Sequence, residues 1–344
     1  MDEVILIASW LEDELVARIR RAAPWAEVVH EPSLLRPPRY PADHTGRAVE
    51  RSPEEEREWR AHLSRATILF DFDRTHREDL PLLAPRVRWI QATSSGIGQF
   101  VHRMDYAARM PDTVFTTARS VHSRPLAEFA MMCMLGHVRG LLPIMKAQRE
   151  RRWERLAGSD LEGRTVLVVG YGAIGQEVGR LASAFGLTVL GIRRRPEERV
   201  EGHEADEMHG PESLHDLLPR ADFLVLSMPH TADTEEMIGA AELAALPAGA
   251  AVVNVGRGSL IDEPALVRAL EEGQLGAAYL DVFAEEPLPR DSPLWSLPNV
   301  LVSPHSGSTS DRENARITDV FCDNLARWRA GEPLRNRLDP ARLY

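Results

Sequence analysis

Val166-Leu167-Val168-Val169-Gly170-Tyr171-Gly172-Ala173-Ile174-Gly175 is the stretch on which the reading of this chain turns. Four apolar residues in a row, three of them β-branched, describe a short strand buried on both faces. The G-x-G-x-x-G that follows reads as a turn into a helix. Gly170 permits the tight turn, Gly172 lets a backbone come close to a pyrophosphate, and Gly175 lets helix and strand pack together. The first turn of the helix then offers unpaired N–H groups and the positive end of a dipole to an anion. The same pattern alone occurs as a plain structural turn. Framed by a strand and a helix, Gly170, Tyr171, Gly172, Ala173, Ile174 and Gly175 read as a dinucleotide-binding loop.

Working outward, Thr188–Ile192 reads as the next strand and runs into Arg193, Arg194 and Arg195. There a ribose 2′-hydroxyl is usually met by Asp or Glu, whereas guanidinium groups bind a 2′-phosphate through paired donors. Arg193 and Arg194 therefore point to NADP(H), with NAD(H) the alternative and a solvated basic turn the plain explanation. Further strands are expected at Phe223–Ser227, Ala251–Val255, Ala277–Asp281 and Val300–Ser303, with helices such as Gly175–Phe185 and Glu263–Glu272 between them. Val4–Ile7, Val28–Val29, Thr67–Phe70 and Val87–Ile90 continue the alternation toward the N-terminus, with helices over Leu11–Arg21 and Glu54–Leu63. Strands alternating with helices predict parallel sheets, and 344 residues predict two domains. The expected class is α/β, with two Rossmann-like, doubly wound domains. Pro32 to Pro53 reads as a surface excursion, Pro125 to about Arg152 as one long helix, and Asp311 to Trp328 as an amphipathic helix.

Composition removes several function classes. A formal net charge of −11 argues against nucleic acid as the main partner, because a phosphate backbone needs a basic field. No apolar run approaches the ~18 residues of a membrane span. Met1-Asp2-Glu3 is acidic where a signal peptide is basic, and the two cysteines, Cys133 and Cys322, are too few for a disulfide framework. A cytoplasmic protein is expected. Among 41 basic residues the only lysine is Lys146, so there is no G-x-x-x-x-G-K-[ST] loop. Hydrolase and zincin signatures are absent too. The Met131-Met132-Cys133-Met134 cluster reads as core filling. His203, Glu204, Asp206, Glu207 and His209 are dense in potential ligands but read as a solvated loop, and no metal is expected.

Three further segments complete a set: Asn254-Val255-Gly256-Arg257-Gly258, Leu280-Asp281-Val282-Phe283-Ala284-Glu285-Glu286-Pro287-Leu288-Pro289, and Ser303-Pro304-His305-Ser306-Gly307. With the glycine loop, and with Met228-Pro229-His230-Thr231-Ala232-Asp233-Thr234 between, the chain strongly resembles the D-isomer-specific 2-hydroxyacid dehydrogenase family over nearly its whole length. The resemblance implies a flavodoxin-like substrate domain from residues 1–112 and 309–344. An NAD(P)-binding domain, 113–308, is inserted in it, and the break is placed near Met110-Pro111-Asp112. It also implies catalysis in the cleft as the domains close, and a homodimer formed through the cofactor domain.

The resemblance assigns catalysis to Arg257, Glu286 and His305. Arg257 suits the carboxylate and carbonyl of a 2-oxo acid, and its charge stabilises the developing oxyanion. His305 suits a proton donor near neutral pH, with Glu286 accepting from its other ring nitrogen and raising the imidazole pKa. Taken singly, each has an ordinary explanation as a loop arginine, a surface carboxylate or a satisfied loop histidine. Glu286 is preferred to Glu285 because it directly precedes Pro287. Ser95, Gly96 and Ile97 match the family loop whose main-chain amides hold the substrate carboxylate, although a strand-to-helix turn explains them as well. Ser227, Met228, Pro229, Thr234, Val255, Gly256, Arg257 and His305 would line the cofactor groove, with Asp281 near the nicotinamide carboxamide. Trp10, Phe72, Phe100 and Trp295 are expected around the substrate.

The implied activity is reduction of a small 2-oxo acid, such as glyoxylate or hydroxypyruvate, to the D-2-hydroxy acid by NAD(P)H. Two alternatives share the fold. A formate dehydrogenase carries Gln where Glu286 stands. An NAD(H)-sensing corepressor keeps the triad without significant turnover.

Overall fold

The computed structural model describes residues 3–197 and 205–340, which form two compact units, Met1–Val121 with Thr309–Tyr344 and His122–Ser308. The first holds a five-stranded sheet in the order β2-β1-β3-β4-β5, built from β1 (Glu3–Ile7), β2 (Ala26–Val29), β3 (Ile68–Phe70), β4 (Trp89–Gln91) and β5 (Val114–Thr116). Every ladder in it is parallel. Buried strands alternate their side chains between two cores. Val4 and Leu6 of β1 join Trp59 and Leu63 on one face. Ile5 and Ile7 join Phe321 and Leu325, from the helix Glu313–Ala330, on the other. That alternation explains an unbroken apolar run, since each fully buried aliphatic side chain contributes about 1.5–3 kcal/mol.

The second unit holds seven parallel strands in the order β12-β11-β10-β9-β6-β7-β8. They are β6 (Thr165–Val169), β7 (Thr188–Ile192), β8 (Glu207–His209), β9 (Phe223–Leu226), β10 (Ala250–Asn254), β11 (Leu275–Leu280) and β12 (Val300–Val302). Both orders are those of doubly wound α/β sheets, with the strand order reversing between β1 and β3 and between β6 and β9 while every strand stays parallel. The two units are Rossmann-like. Among the described residues, no helix is long and apolar enough to cross a membrane.

Four expectations are corrected. The break between units falls after Val121, not near Asp112, because β5 pairs with β4. Three residues are too short a run to show a period. The stretch from Pro125 to Arg152 is two helices, Ser123–Val138 and Leu141–Arg149, separated by Gly140 at φ 67°. The excursion after Pro32 is packed as well as exposed. Leu34, Leu35 and Asp43 are buried, and Asp43 collects the Arg39 guanidinium and the N–H groups of Arg39, Thr45 and Gly46. Burial would raise its carboxyl, yet Arg39 and those N–H groups hold it well below the usual range. Finally, Phe72 and Phe100 belong to a core ring cluster with Tyr106 and Phe115, while Trp295 lies in the second unit and donates to the Pro289 carbonyl.

His203 and Glu204 of the dense ligand stretch lie outside the described residues. Of the rest, Asp206 accepts the Val189 N–H just before the edge strand β8, and Glu207 and His209 lie in that strand, where Glu207 pairs with Arg220 and His209. No group of three metal-ligating side chains exists among the described residues.

Candidate active site

The glycine loop leaves β6 and enters the helix Ala173–Ala184. Gly170 has φ 96°, and a Cβ there would meet the Met228 backbone nitrogen at 2.7 Å. At Gly175 a Cβ would come within 2.7 Å of the Gly170 carbonyl, so helix and turn pack at a distance only glycine allows. A Cβ at Gly172 would have only one atom within reach, at 4.0 Å, and no side chain caps the helix that starts there. The open backbone and unsatisfied first-turn N–H groups form a cradle that fits a pyrophosphate. Tyr171 turns inward and is buried; a Cβ on Gly179 would lie 2.1 Å from its hydroxyl and one on Gly191 would lie 2.9 Å from its ring.

Arg193 follows β7 directly. Its N–H donates to the His209 carbonyl and its Nη2 to the Pro196 carbonyl, while Nε is buried with no partner. Arg194 stands beside it. Ser227, after β9, donates to the Gly170 carbonyl at 3.0 Å. Met228 packs against both Gly170 and Gly256, and Thr234 closes the turn after Pro229 by donating to its carbonyl. Val255 follows β10, its N–H bonded to Leu226. The glycine loop, Ser227–Pro229 and Val255–Arg257 thus share the carboxyl edge of β6, β9 and β10, where the strand order reverses.

Arg257 is held by its own turn. Asn254 donates through Nδ2 to the Arg257 carbonyl and accepts the Gly256 N–H, and Arg257 Nη1 donates to the Gly256 carbonyl. At the next residue, Gly258, a Cβ would sit 1.8 Å from the Phe283 carbonyl carbon. The turn therefore lies directly on the segment that carries Glu286. Phe283 N–H donates to Glu286 Oε1 at 3.1 Å, and Glu286 Oε2 lies 2.8 Å from His305 Nδ1. His305 itself has φ 53°, a left-handed conformation that costs a residue with a side chain about 1–2 kcal/mol. Asp281 holds the loop in this shape. Its Oδ1 accepts the Ser303 hydroxyl and the N–H groups of Ser306 and Gly307, and its carbonyl accepts the His305 N–H.

The electrostatics follow from these contacts. The hydrogen bond to Glu286 raises the His305 pKa above the ordinary imidazole value, against the opposing effect of burial. Burial would raise the Glu286 carboxyl, but the bonds from His305 and Phe283 and the Arg257 charge hold it below the usual range. Burial lowers Arg257, with the Glu286 charge opposing it. An imidazolium with one ring nitrogen engaged, beside a guanidinium, can donate a proton and stabilise negative charge.

Ser95, Gly96 and Ile97 lie in the first unit, between β4 and the helix Gly98–Arg103. The loop is braced by Ser95 Oγ donating to the Ala118 carbonyl and by the Ala118 N–H donating to Ser94. Sequence reasoning passed over Asn254, Gly258, Ser303 and the Phe283 N–H, all of which position the three candidate side chains. The Asn-x-x-Arg-Gly pattern held a signal for the first two.

Residues 131–307 match the model of the D-isomer specific 2-hydroxyacid dehydrogenase family, NAD binding domain. A glyoxylate reductase of Korarchaeum cryptofilum (strain OPF8) is 35% identical over 226 residues, covering 63% of this chain and 66% of that protein, just under two thirds of its length. A glyoxylate/hydroxypyruvate reductase B of Yersinia pestis (strain Pestoides F) is 32% identical over 299 residues, covering 84% of this chain and 89% of that protein. Among solved structures, a D-isomer specific 2-hydroxyacid dehydrogenase from Xanthobacter autotrophicus Py2, in complex with NADPH and MES, superposes with a TM-score of 0.77 at 28% identity, covering 100% of both chains. The model match over half the chain and the coverage of the Yersinia relative carry the conclusion: this chain belongs to the D-isomer specific 2-hydroxyacid dehydrogenase family.

Proposed function

We propose that the chain reduces a small 2-oxo acid, of the glyoxylate or hydroxypyruvate kind, to the D-2-hydroxy acid at the expense of NADPH. The carrying observation is the His305–Glu286 contact beside Arg257, in the unit that matches the family's NAD binding domain. In this reading the second unit holds the cofactor and the first supplies Ser95–Ile97. A bound nicotinamide supplies the hydride. Arg257 and the amides of Ser95, Gly96 and Ile97 hold the substrate carboxylate, and Arg257 stabilises the oxyanion. With Nδ1 committed to Glu286, Nε2 of His305 gives its proton to the alkoxide. The raised imidazole value keeps that proton in place near neutral pH.

Arg193 and Arg194 at the end of β7 support NADPH over NADH, as does the NADPH bound by the Xanthobacter relative. The named reductase relatives support the substrate class. A homodimer through the second unit is supported by apolar side chains exposed along residues 141–156, where Trp153 is 98% exposed. A reducing compartment suits the free Cys133 and Cys322.

The test follows NADPH and NADH oxidation with glyoxylate and hydroxypyruvate, with chiral analysis of the product. NADPH should be preferred. A charge-assisted contact is worth about 1.5–3 kcal/mol, so Arg193→Asp should lower NADPH kcat/KM by at least roughly 10- to 150-fold while NADH activity holds or rises. Cofactor binding without turnover of either acid overturns the enzymatic reading. An NADPH/NADH ratio untouched by Arg193→Asp overturns the cofactor preference.

A further inference from the structure

β5 stands at one edge of the first unit's sheet, and an open strand edge invites further pairing. Residues 335–338 cover it. Thr116 and Arg337 form an antiparallel bridge, Leu338 N–H donates to the Phe115 carbonyl, and Thr117 N–H donates to the Asn336 carbonyl. Backbone bonds of this kind are all that an edge cover needs. Asn336 adds more. It has φ 57°, a left-handed conformation that asparagine adopts more readily than most residues. Its Nδ2 donates to two carbonyls beyond the strand, Thr117 at 3.3 Å and Arg119 at 3.0 Å. One amide thus grips both ends of residues 117–119 and spends both of its hydrogens there.

That short stretch is also the brace of the loop at Ser95. Between the two gripped carbonyls, Ala118 N–H donates to the Ser94 carbonyl and the Ala118 carbonyl accepts from Ser95 Oγ, both at 3.1 Å. Ala118 is fully buried, and Thr117 Oγ1 accepts the Arg119 N–H, so the stretch also has a turn of its own. A second path runs from the same segment to the same loop. The buried Asn324 accepts the Arg335 N–H and donates both to the Arg335 carbonyl and to Gln91 Oε1. Gln91 ends β4, and its Nε2 donates to the carbonyl of Ala92, the next residue toward Ser95.

We propose that Asn336 is a positioning residue for substrate binding: through residues 117–119 it sets the main-chain amides of Ser95, Gly96 and Ile97 where a carboxylate can meet them. The inference rests on the 2-oxo acid reductase reading above, in which those amides hold the substrate carboxylate. It carries a kinetic signature. The carboxylate is held alike before and during hydride transfer, so a loosened loop raises KM for the acid and leaves kcat in place. An edge cover without this role has no such signature, because its loss lowers stability without separating KM from kcat.

The experiment measures kcat and KM for glyoxylate and hydroxypyruvate, and KM for the preferred nicotinamide cofactor, with melting temperatures to confirm folding. Asn336→Gly keeps the left-handed backbone accessible and removes both donors. It should raise KM for the acids by about 2- to 12-fold, the value of one neutral hydrogen bond, with kcat and cofactor KM nearly unchanged. Thr117→Val removes the turn bond to Arg119, should shift KM the same way, and serves where Asn336→Gly folds poorly. Arg335→Gln, which loses only an exposed pairing with Asp323 in the same segment, should keep wild-type values. Ser95→Ala combined with Asn336→Gly should raise KM by less than the product of the single effects, because both act through Ala118. Suppose the acids are turned over, but the folded variants keep wild-type KM, the two effects multiply independently, or cofactor KM rises as much. The segment is then an edge cover alone, and the parent reading stands. If folded wild-type protein turns over no 2-oxo acid with either cofactor, both fall.

Discussion

His76 and His305, one in each unit, are each held by a carboxylate oxygen within 2.8 Å, and they differ in how many ring nitrogens are engaged. His305 gives Nδ1 to Glu286. His76 gives Nδ1 to Asp73 and Nε2 to Glu56, both at 2.7 Å. An imidazole with carboxylates on both nitrogens must be the cation, since only the charged ring has two N–H donors. It therefore has no atom left for chemistry. His76 is a fastener between the helix Pro53–Arg65 and the loop after β3, whereas His305 keeps a nitrogen for a substrate. Both are raised above the ordinary imidazole value, chiefly by a carboxylate hydrogen bond, so the direction of a pKa shift does not separate a structural histidine from a reactive one. The count of engaged nitrogens does.

The comparison can be broken most forcefully by removing each ring. His305→Ala should lower kcat by about 10²–10⁴ with cofactor still bound. Near-normal turnover would return His305 to the status of a loop residue. Glu286→Gln should act next, and on pH more than on the maximum rate. Without the carboxylate the imidazole loses what raises it, so the alkaline limb of reduction and the acid limb of oxidation should both move to lower pH. An unchanged profile would show that the 2.8 Å contact does not tune the donor.

His76→Ala should cost stability, about 1.5–3 kcal/mol for a lost charge-assisted bond, while the pH limbs set by His305 stay in place. The sign of its pH dependence is fixed by the raised folded value. The stabilisation is complete below the unfolded imidazole value and is lost as pH rises through the higher folded one. Wild-type melting temperature should fall across that window, and the variant should lack this component. The smallest effect is expected from Ser52→Ala, which removes the capping box of the helix that carries Glu56. About 0.5–2 kcal/mol should be lost in denaturant melts, with no change in kinetic pH limbs.

The strands that sit inside each sheet were readable because burial on both faces writes unbroken apolar runs, as in Val4–Ile7 and Val166–Val169. The edges were not. In β8 the residues are Glu207, Met208 and His209, which read as a solvated loop, and β5 is too short to declare a period. The helix break at Gly140 was hidden because apolar spacing runs on through both flanking helices. In the candidate site the side chains that would do chemistry are legible by type and order, but the contacts that aim them are not. The three bonds converging on Asp281 Oδ1 and the near-overlap at Gly258 depend on loops meeting across the carboxyl edge of the sheet. His76 escaped notice for the same reason, because Glu56 lies twenty residues away.

The inward-turned Tyr171 constrains the history this loop can have had. Its ring and hydroxyl occupy the space that side chains at Gly179 and Gly191 would need, so the three positions form one lock. Gly179→Ala should be rejected while Tyr171 is present and accepted once a small residue replaces it. Tyr171→Ala, made first, leaves a hole that Ala at 179 would partly refill. The route between this arrangement and a loop with a small second residue thus runs through a destabilised intermediate, and the order of the steps decides which intermediates survive.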